Sequence, residues 1–292
     1  MLVEVVEYSD PWCSWAWGTE PKLRRLRWRY GDRLAWRTVM GDLVVDQLNV
    51  RPDFDAERAA PKMAIYWEQV FVHTGMPWPV QLRRAPRRSA IAGQAVKAAQ
   101  QQSEEAGAAL LRAIRESCFV YWEPADALPL VVDLARQIPG LDADRLQTDF
   151  DSDDVVKAFA ADREETRRPN DYVLNLQETH DGKGNAKPEG DGWRYVFPTV
   201  LFRGSGGEHT VPGWQPWDAY VAAMEAAVPG STHDARPDPT PDEALALWPL
   251  LTERELAFLC GDDARPPANA VPVDWGAGIA FARADAPRPS TG

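Results

Sequence analysis

The residues best placed to do chemistry sit near the start of the chain, in Asp10-Pro-Trp-Cys-Ser-Trp-Ala-Trp-Gly18. Cys13 lies where an apolar run hands over to a helical pattern. Free backbone N–H groups and the positive end of a helix dipole at such a junction favour a thiolate over a thiol whose ordinary pKa is about 8.5. On position alone a second reading stands beside the nucleophile: unpaired cysteine is among the most buried residue types, and Cys13 could be a small apolar residue in a ring of indoles. The remaining thiols, Cys118 and Cys260, are distant, and three cysteines in all assemble neither a disulfide framework nor a zinc spacing. The four histidines, His73, His180, His209 and His233, share no metal-ligand spacing. A second stretch, Val196-Phe-Pro-Thr-Val200, carries a proline at the entrance to an apolar strand, either a cis X-Pro bond or an ordinary trans strand-initiating proline.

The elements that must position these residues follow from periodicity. Leu2 to Tyr8 is a Val-rich run that reads as a buried strand, broken by Ser9-Asp10-Pro11. Trp17, Leu23, Leu26 and Tyr30 recur at helical spacing from Ser14 to about Tyr30, with Pro21 expected to kink the helix. Gly31-Asp32 ends it, and Leu34 to Met40 reads as a second strand, parallel to the first through a right-handed crossover. From about Asp53 to Arg168 the pattern is helical, several segments opening after a Ser or Asp suited to an N-cap. Gly182 to Gly192 reads as a loop and Trp193 to Phe202 as a strand. Gly204-Ser-Gly-Gly207 turns into a partner strand, His209-Thr-Val211, and a last helix runs from Pro216 to Ala227.

The predicted fold class is therefore α/β, a strand-helix-strand half and a strand-strand-helix half with an all-helical insertion between them. The predicted boundaries are 1–48 and 191–229 for the two halves and 49–190 for the insertion. Residues 230–292, rich in Pro, Asp and Ala, are predicted to be a partly disordered extension with one amphipathic segment, Glu253 to Cys260.

At 292 residues the chain has room for a core that needs no disulfide staples. A net charge of −12 argues against nucleic acid and anionic membrane as partners, because phosphate binding needs clustered Lys and Arg. Arg83-Arg84 with Arg87-Arg88, and Arg24-Arg25, are small groups expected on solvated faces. The opening Met1-Leu-Val-Glu-Val-Val-Glu7 has no basic start or cleavage site of a secretory signal, and the free cysteines fit a reducing compartment; a cytoplasmic protein is expected.

Taken in order, Tyr8-Ser-Asp-Pro-Trp-Cys-Ser-Trp15, Glu20-Pro21, the helical insertion, Phe197-Pro-Thr-Val-Leu201 and Val211-Pro-Gly-Trp-Gln215 resemble the DsbA family of the thioredoxin-like superfamily, in its branch related to FrnE and the dithiol-disulfide isomerase-like proteins. The resemblance implies a thioredoxin-like fold and thiol-disulfide oxidoreductase chemistry. It makes Cys13 the attacking thiol, Pro198 a cis proline opposite it, and Ser14, Trp15, Ala16, Phe197 and Pro198 the substrate-binding edge, with Trp15 facing outward. No tightly bound cofactor or metal is implied.

One departure matters: the family's dithiol enzymes carry Cys-x-x-Cys, and here Ala16 stands at the position of the resolving cysteine. A mixed disulfide on Cys13 must then be resolved from elsewhere. The first expectation is a monothiol working on a disulfide or electrophilic substrate, with glutathione or another low-molecular-weight thiol completing the cycle. The second makes Cys118 a remote resolving thiol, against its position on an apolar helical stripe. The third is a catalytically inactive binding protein with a protein client, because the Asp-Pro-x-Cys and Trp-rich opening also resembles the branch that serves as a ClpXP protease adaptor. Trp12 and Trp17, with Trp67, Trp78 and Trp122 in the insertion, are core residues or parts of an apolar recess.

Overall fold

The computed structural model describes residues 2–176 and 185–289. His180 and the first residues of the expected Gly182–Gly192 loop lie outside that range. The chain divides into two compact units, residues 1–41 with 160–238, and residues 42–159 with 239–292.

The first unit opens with β1 (Val3–Ser9), α1 (Ser14–Tyr30) and β2 (Leu34–Met40). The second contributes α2 (Gln47–Val50), α3 (Ala56–Thr74), α4 (Ala90–Gln100), α5 (Glu104–Phe119), α6 (Leu128–Ala135) and α7 (Ala143–Asp149). The division falls within α8 (Asp153–Thr166). The first unit then resumes with α9 (Asp171–Leu174), the hairpin β3 (Lys187–Glu189) and β4 (Gly192–Arg194), β5 (Thr199–Gly204), β6 (Gly207–Pro212) and α10 (Trp217–Ala227). The second ends with α11 (Pro241–Leu247), β7 (Leu250–Thr252), α12 (Glu253–Cys260), β8 (Val271–Asp274) and β9 (Ile279–Ala282).

The main sheet runs β2-β1-β5-β6, with β1 and β2 parallel and the other pairs antiparallel. The period of two along a strand sorts side chains to opposite faces. On β1 and β5, Val3, Val5, Val200 and Phe202 pack with Leu23 and Leu26 of α1 and Tyr220 and Met224 of α10. Fully burying such side chains stabilises the unit by about 1.5–3 kcal/mol each.

The opposite parity carries Tyr8, whose ring stacks on Tyr195 at 4.3 Å. The Tyr8 hydroxyl donates to Glu165 at 2.9 Å, and Arg37 grips the same carboxylate with two bonds of 2.8 Å. Arg37 and Tyr8 hold the Glu165 carboxyl below its ordinary range, against the effect of burial. Burial and the neighbouring Glu165 charge push the Tyr8 phenol up. The strand expected over residues 193–202 is two pieces, β4 and β5, with the Phe197–Pro198 bond between them.

In the second unit the segment after Pro229 differs from the expected extension: from residue 239 it is built into the same unit as the insertion helices. Two T-x-x-E capping boxes, at Thr240/Glu243 and Thr252/Glu255, start α11 and α12. Leu245, Leu251, Leu256 and Leu259 then close a small core. Glu255, wholly buried, receives two bonds from Arg112 of α5 at 2.9 and 3.0 Å, and Trp275 packs edge-on against Trp78 and Phe71. The Pro-rich composition hid these apolar contacts because they are spaced over short elements rather than along one periodic helix.

Candidate active site

Asp10 organises the turn that ends β1: its carboxylate accepts the Trp12 N–H at 2.9 Å, and its carbonyl the Cys13 N–H at 3.3 Å. An Asp side chain bonding two residues ahead is a local turn-former, and Pro11 inside that turn cannot extend the strand. Cys13 is left as the N-cap of α1, with extended φ and ψ of −79° and 108°. Its sulfur takes the place usually held by a Ser or Thr oxygen, accepting the Ala16 N–H at 3.4 Å. One otherwise unpaired helix-terminal donor therefore points at the sulfur.

A second contact comes from far along the chain. The Cys13 thiol donates to the carbonyl oxygen of Phe197 at 3.2 Å, and the Phe197–Pro198 peptide bond is cis. The Pro198 carbonyl is fixed in turn by the Gly213 N–H at 2.7 Å. The Phe197 ring lies over Gly41, so closely that a Cβ on residue 41 would fall 2.0 Å from its ring carbon. The Arg194 guanidinium sits 5.0 Å from the same ring. The ring is thus held between the end of β2 and β4 while its carbonyl is presented to the thiol.

Of the expected site residues, the structure brings Cys13, Ala16 and Phe197 into direct contact. Ser14, Trp15, Ala16, Phe197 and Pro198 are all buried, and Cys13 is 5% exposed. Trp15 differs from its expected outward orientation. It packs against Trp214 with ring centroids 6.4 Å apart, and Trp214 donates to the Gly18 carbonyl at 3.1 Å. The Lys22 ammonium lies 3.7 Å from the Trp214 ring. A bulky aromatic following Val211-Pro-Gly213 was the available signal for this partner; neither its target on α1 nor the need for Gly41 is visible in local sequence.

Cys118, on α5, is fully buried, and that burial, with the charge of Asp126, pushes its thiol well above the ordinary range. Such a thiol stays protonated and does not supply an attacking thiolate, which counts against a resolving role. Trp12 and Trp17 are core residues at 2% exposure, and Trp67 packs at a tilt against Phe119 with ring centroids 4.9 Å apart. Among the described residues no group of three or more His, Cys, Asp or Glu side chains is arranged to hold a metal ion, and no helix is long and apolar enough to cross a membrane.

Comparison with known proteins agrees with this architecture. A family model described as thioredoxin matches residues 7–168, more than half of the chain. Over 88% of this chain and 77% of the relative, the sequence is 25% identical to a ClpXP adapter protein SpxH of Shouchella clausii. The SpxH of Bacillus subtilis is also 25% identical, over 75% and 73% of the two chains. Among solved structures, the cytosolic disulfide reductase DsbM of Pseudomonas aeruginosa is similar at a TM-score of 0.53 and 19% identity, covering 75% of this chain and 97% of that one. At that identity the likeness is one of fold.

Proposed function

We propose, from the premise that this chain belongs to the thioredoxin family and has a DsbA-like form of its fold, that Cys13 is a single exchange thiol served by an external low-molecular-weight thiol. The observation that carries the reading is the position of the sulfur, which caps α1 through the Ala16 N–H and faces the Phe197 carbonyl beside a cis proline. Helix-terminal N–H groups and the dipole favour a thiolate there. A substrate would approach along the Phe197–Pro198 backbone, with Ser14, Trp15 and Ala16 forming the other side of the site.

The cycle balances with one sulfur on the protein. The Cys13 thiolate attacks the glutathione sulfur of a mixed disulfide, forming a Cys13–glutathione disulfide and releasing the substrate thiolate, which takes a proton. A second glutathione thiolate then attacks that adduct, giving oxidised glutathione and regenerating the Cys13 thiolate. Glutathione stands here for whichever small thiol a reducing compartment such as the cytosol supplies. A solved complex of the structurally similar DsbM with GSH supports the choice of class.

The test is the rate of Cys13 alkylation against pH, with Cys13→Ser as the blank, followed by turnover of a glutathionylated peptide. An inflection well below about 8.5 and turnover lost in Cys13→Ser are expected. An unreactive thiol, or one titrating at its ordinary value, overturns the reading.

A second reading is favoured by two observations: relatives named as ClpXP adapters match, one of them across 88% of the chain, and Ala16 removes the resolving thiol. Under it the protein holds a client without turning over. Client binding that is unchanged in Cys13→Ser, with no exchange activity in the natural protein, decides for this reading.

A further inference from the structure

A groove in the second unit shares no residue with the Cys13 site. Two hollows, of about 750 and 560 Å³, share Phe54 and Asp55 as a common wall, so together they form an elongated depression between the α2 segment and the first turns of α3. Val44, Met63 and Tyr66 are among the residues lining the larger, and Leu48 and Ile91 among those lining the smaller. Val45, Leu48, Val50 and Tyr66 are exposed, an unusual gathering of large apolar side chains in one short region.

The charges around the groove are unevenly satisfied. Arg58 and Lys62, one turn apart on α3 in line with Tyr66, are exposed and form no ion pair among the described residues, and neither does the Arg87 side chain. Among the described residues, Arg51 reaches only the Gln47 side chain and the Phe54 ring. Of the acids, Asp46 pairs with Arg88 and Asp126 with Arg84, while the Asp55 carboxylate accepts only the Arg58 backbone N–H among the described residues and keeps its charge, so Asp53, Asp55 and Glu57 stand against the four cations Arg51, Arg58, Lys62 and Arg87. More cations than acids stay uncompensated here, on a chain whose net charge is −12.

We propose that this groove docks an acidic segment of another protein, with an apolar anchor for each hollow and carboxylates facing Arg58, Lys62 and Arg87. Charge complementarity selects the sign of the partner, since an excess of cations beside an apolar lining repels basic segments and draws acidic ones. The length selects a peptide over a small organic anion, because one compact ligand fills a single hollow and leaves the other, with its own apolar lining and cation, unused.

The test is selection of a random phage-displayed peptide library on the full-length protein, then fluorescence anisotropy with the best peptide. Expected are peptides enriched in Asp and Glu around two large apolar residues, with affinity falling about tenfold or more in R58E/K62E and falling again as salt is raised. Both substituted positions are exposed, and an unchanged circular dichroism spectrum shows that the variant folds. Met63→Ala, in the apolar lining, is expected to weaken binding without altering the charges. Peptides lacking acidic enrichment, affinity unmoved by R58E/K62E, or no binders at all overturn the proposal. So does displacement by a fatty carboxylate in the absence of any acidic-peptide enrichment, or a dimer in sedimentation that R58E/K62E disperses. Cys13 alkylation in R58E/K62E is expected to match the natural protein, so failure of the groove and failure of the thiol chemistry are read separately.

Discussion

The Cys13 sulfur and the Phe197 carbonyl oxygen, 184 residues apart in sequence, lie 3.2 Å apart in the fold. The pairing depends on the antiparallel register of β1 and β5, in which Tyr8 faces Thr199, so that the ends of the two strands carry the thiol and the cis proline to the same edge. The carbonyl accepts the protonated thiol and the Ala16 N–H favours the thiolate, so these two contacts favour opposite protonation states.

Gly41→Ala is expected to disturb this edge from below. A methyl 2.0 Å from the Phe197 ring must displace it, with an overpacking cost of about 1–3 kcal/mol. A lowered melting temperature together with a changed Cys13 alkylation rate is the expected result. A fall in stability alone would mean that the carbonyl does not follow its ring.

Ala16→Cys is expected to restore an intramolecular partner, because residue 16 lies in the first turn of the helix that Cys13 caps. The variant should lose two titratable thiols on oxidation and turn over a disulfide substrate with less dependence on added glutathione. If both thiols persist under oxidising conditions, the site is not arranged for disulfide formation.

Glu225 supplies a pH dependence. Its carboxylate accepts the Gly230 N–H at 2.7 Å and both the hydroxyl and N–H of Thr232, and these bonds draw its pKa down from 4.5 to about 2. A folded-state pKa below the unfolded one adds stability that is fully present above 4.5 and is lost as pH falls towards about 2. The melting-temperature gap between the natural protein and Glu225→Gln should therefore be widest at neutral pH and close across that window. A gap that is constant with pH would rule out the linkage.

Glu255→Ala is expected to destabilise the second unit by up to about 3–5 kcal/mol, because Arg112 loses its bidentate partner while keeping Glu116, and α12 loses its capping-box carboxylate. Urea unfolding measures it. Glu255→Gln, which keeps the side chain's size and an acceptor oxygen but not its charge, should lose nearly as much as Glu255→Ala if the lost charge, rather than packing or the cap, is the cause.

Much of the first unit was legible in local sequence. The Val-rich β1, the helical spacing of Leu23, Leu26 and Tyr30 and the alternation in β2 each report their own element, and the resemblance carried by Cys13, Pro198 and Trp214 ordered them into one fold. Apart from Glu253 to Cys260, which is α12, residues 239–289 were misread for an equally physical reason. Their elements are 3–8 residues long, too short for periodicity to rise above a Pro- and Asp-rich background, although the two T-x-x-E boxes that begin α11 and α12 were present in the sequence.

The sequence by itself determined the chemistry on offer: one thiol at a strand-helix junction, no second thiol at Ala16, and a proline ahead of an apolar strand, all properties of residue type and local order. Tertiary structure alone decided what those groups face. Burial of Trp15 against Trp214, the Phe197 ring over Gly41, the protonated burial of Cys118 and the buried grip of Arg112 on Glu255 each join residues that pattern cannot pair, because side-chain partners are chosen by packing across the fold rather than by neighbours along the chain.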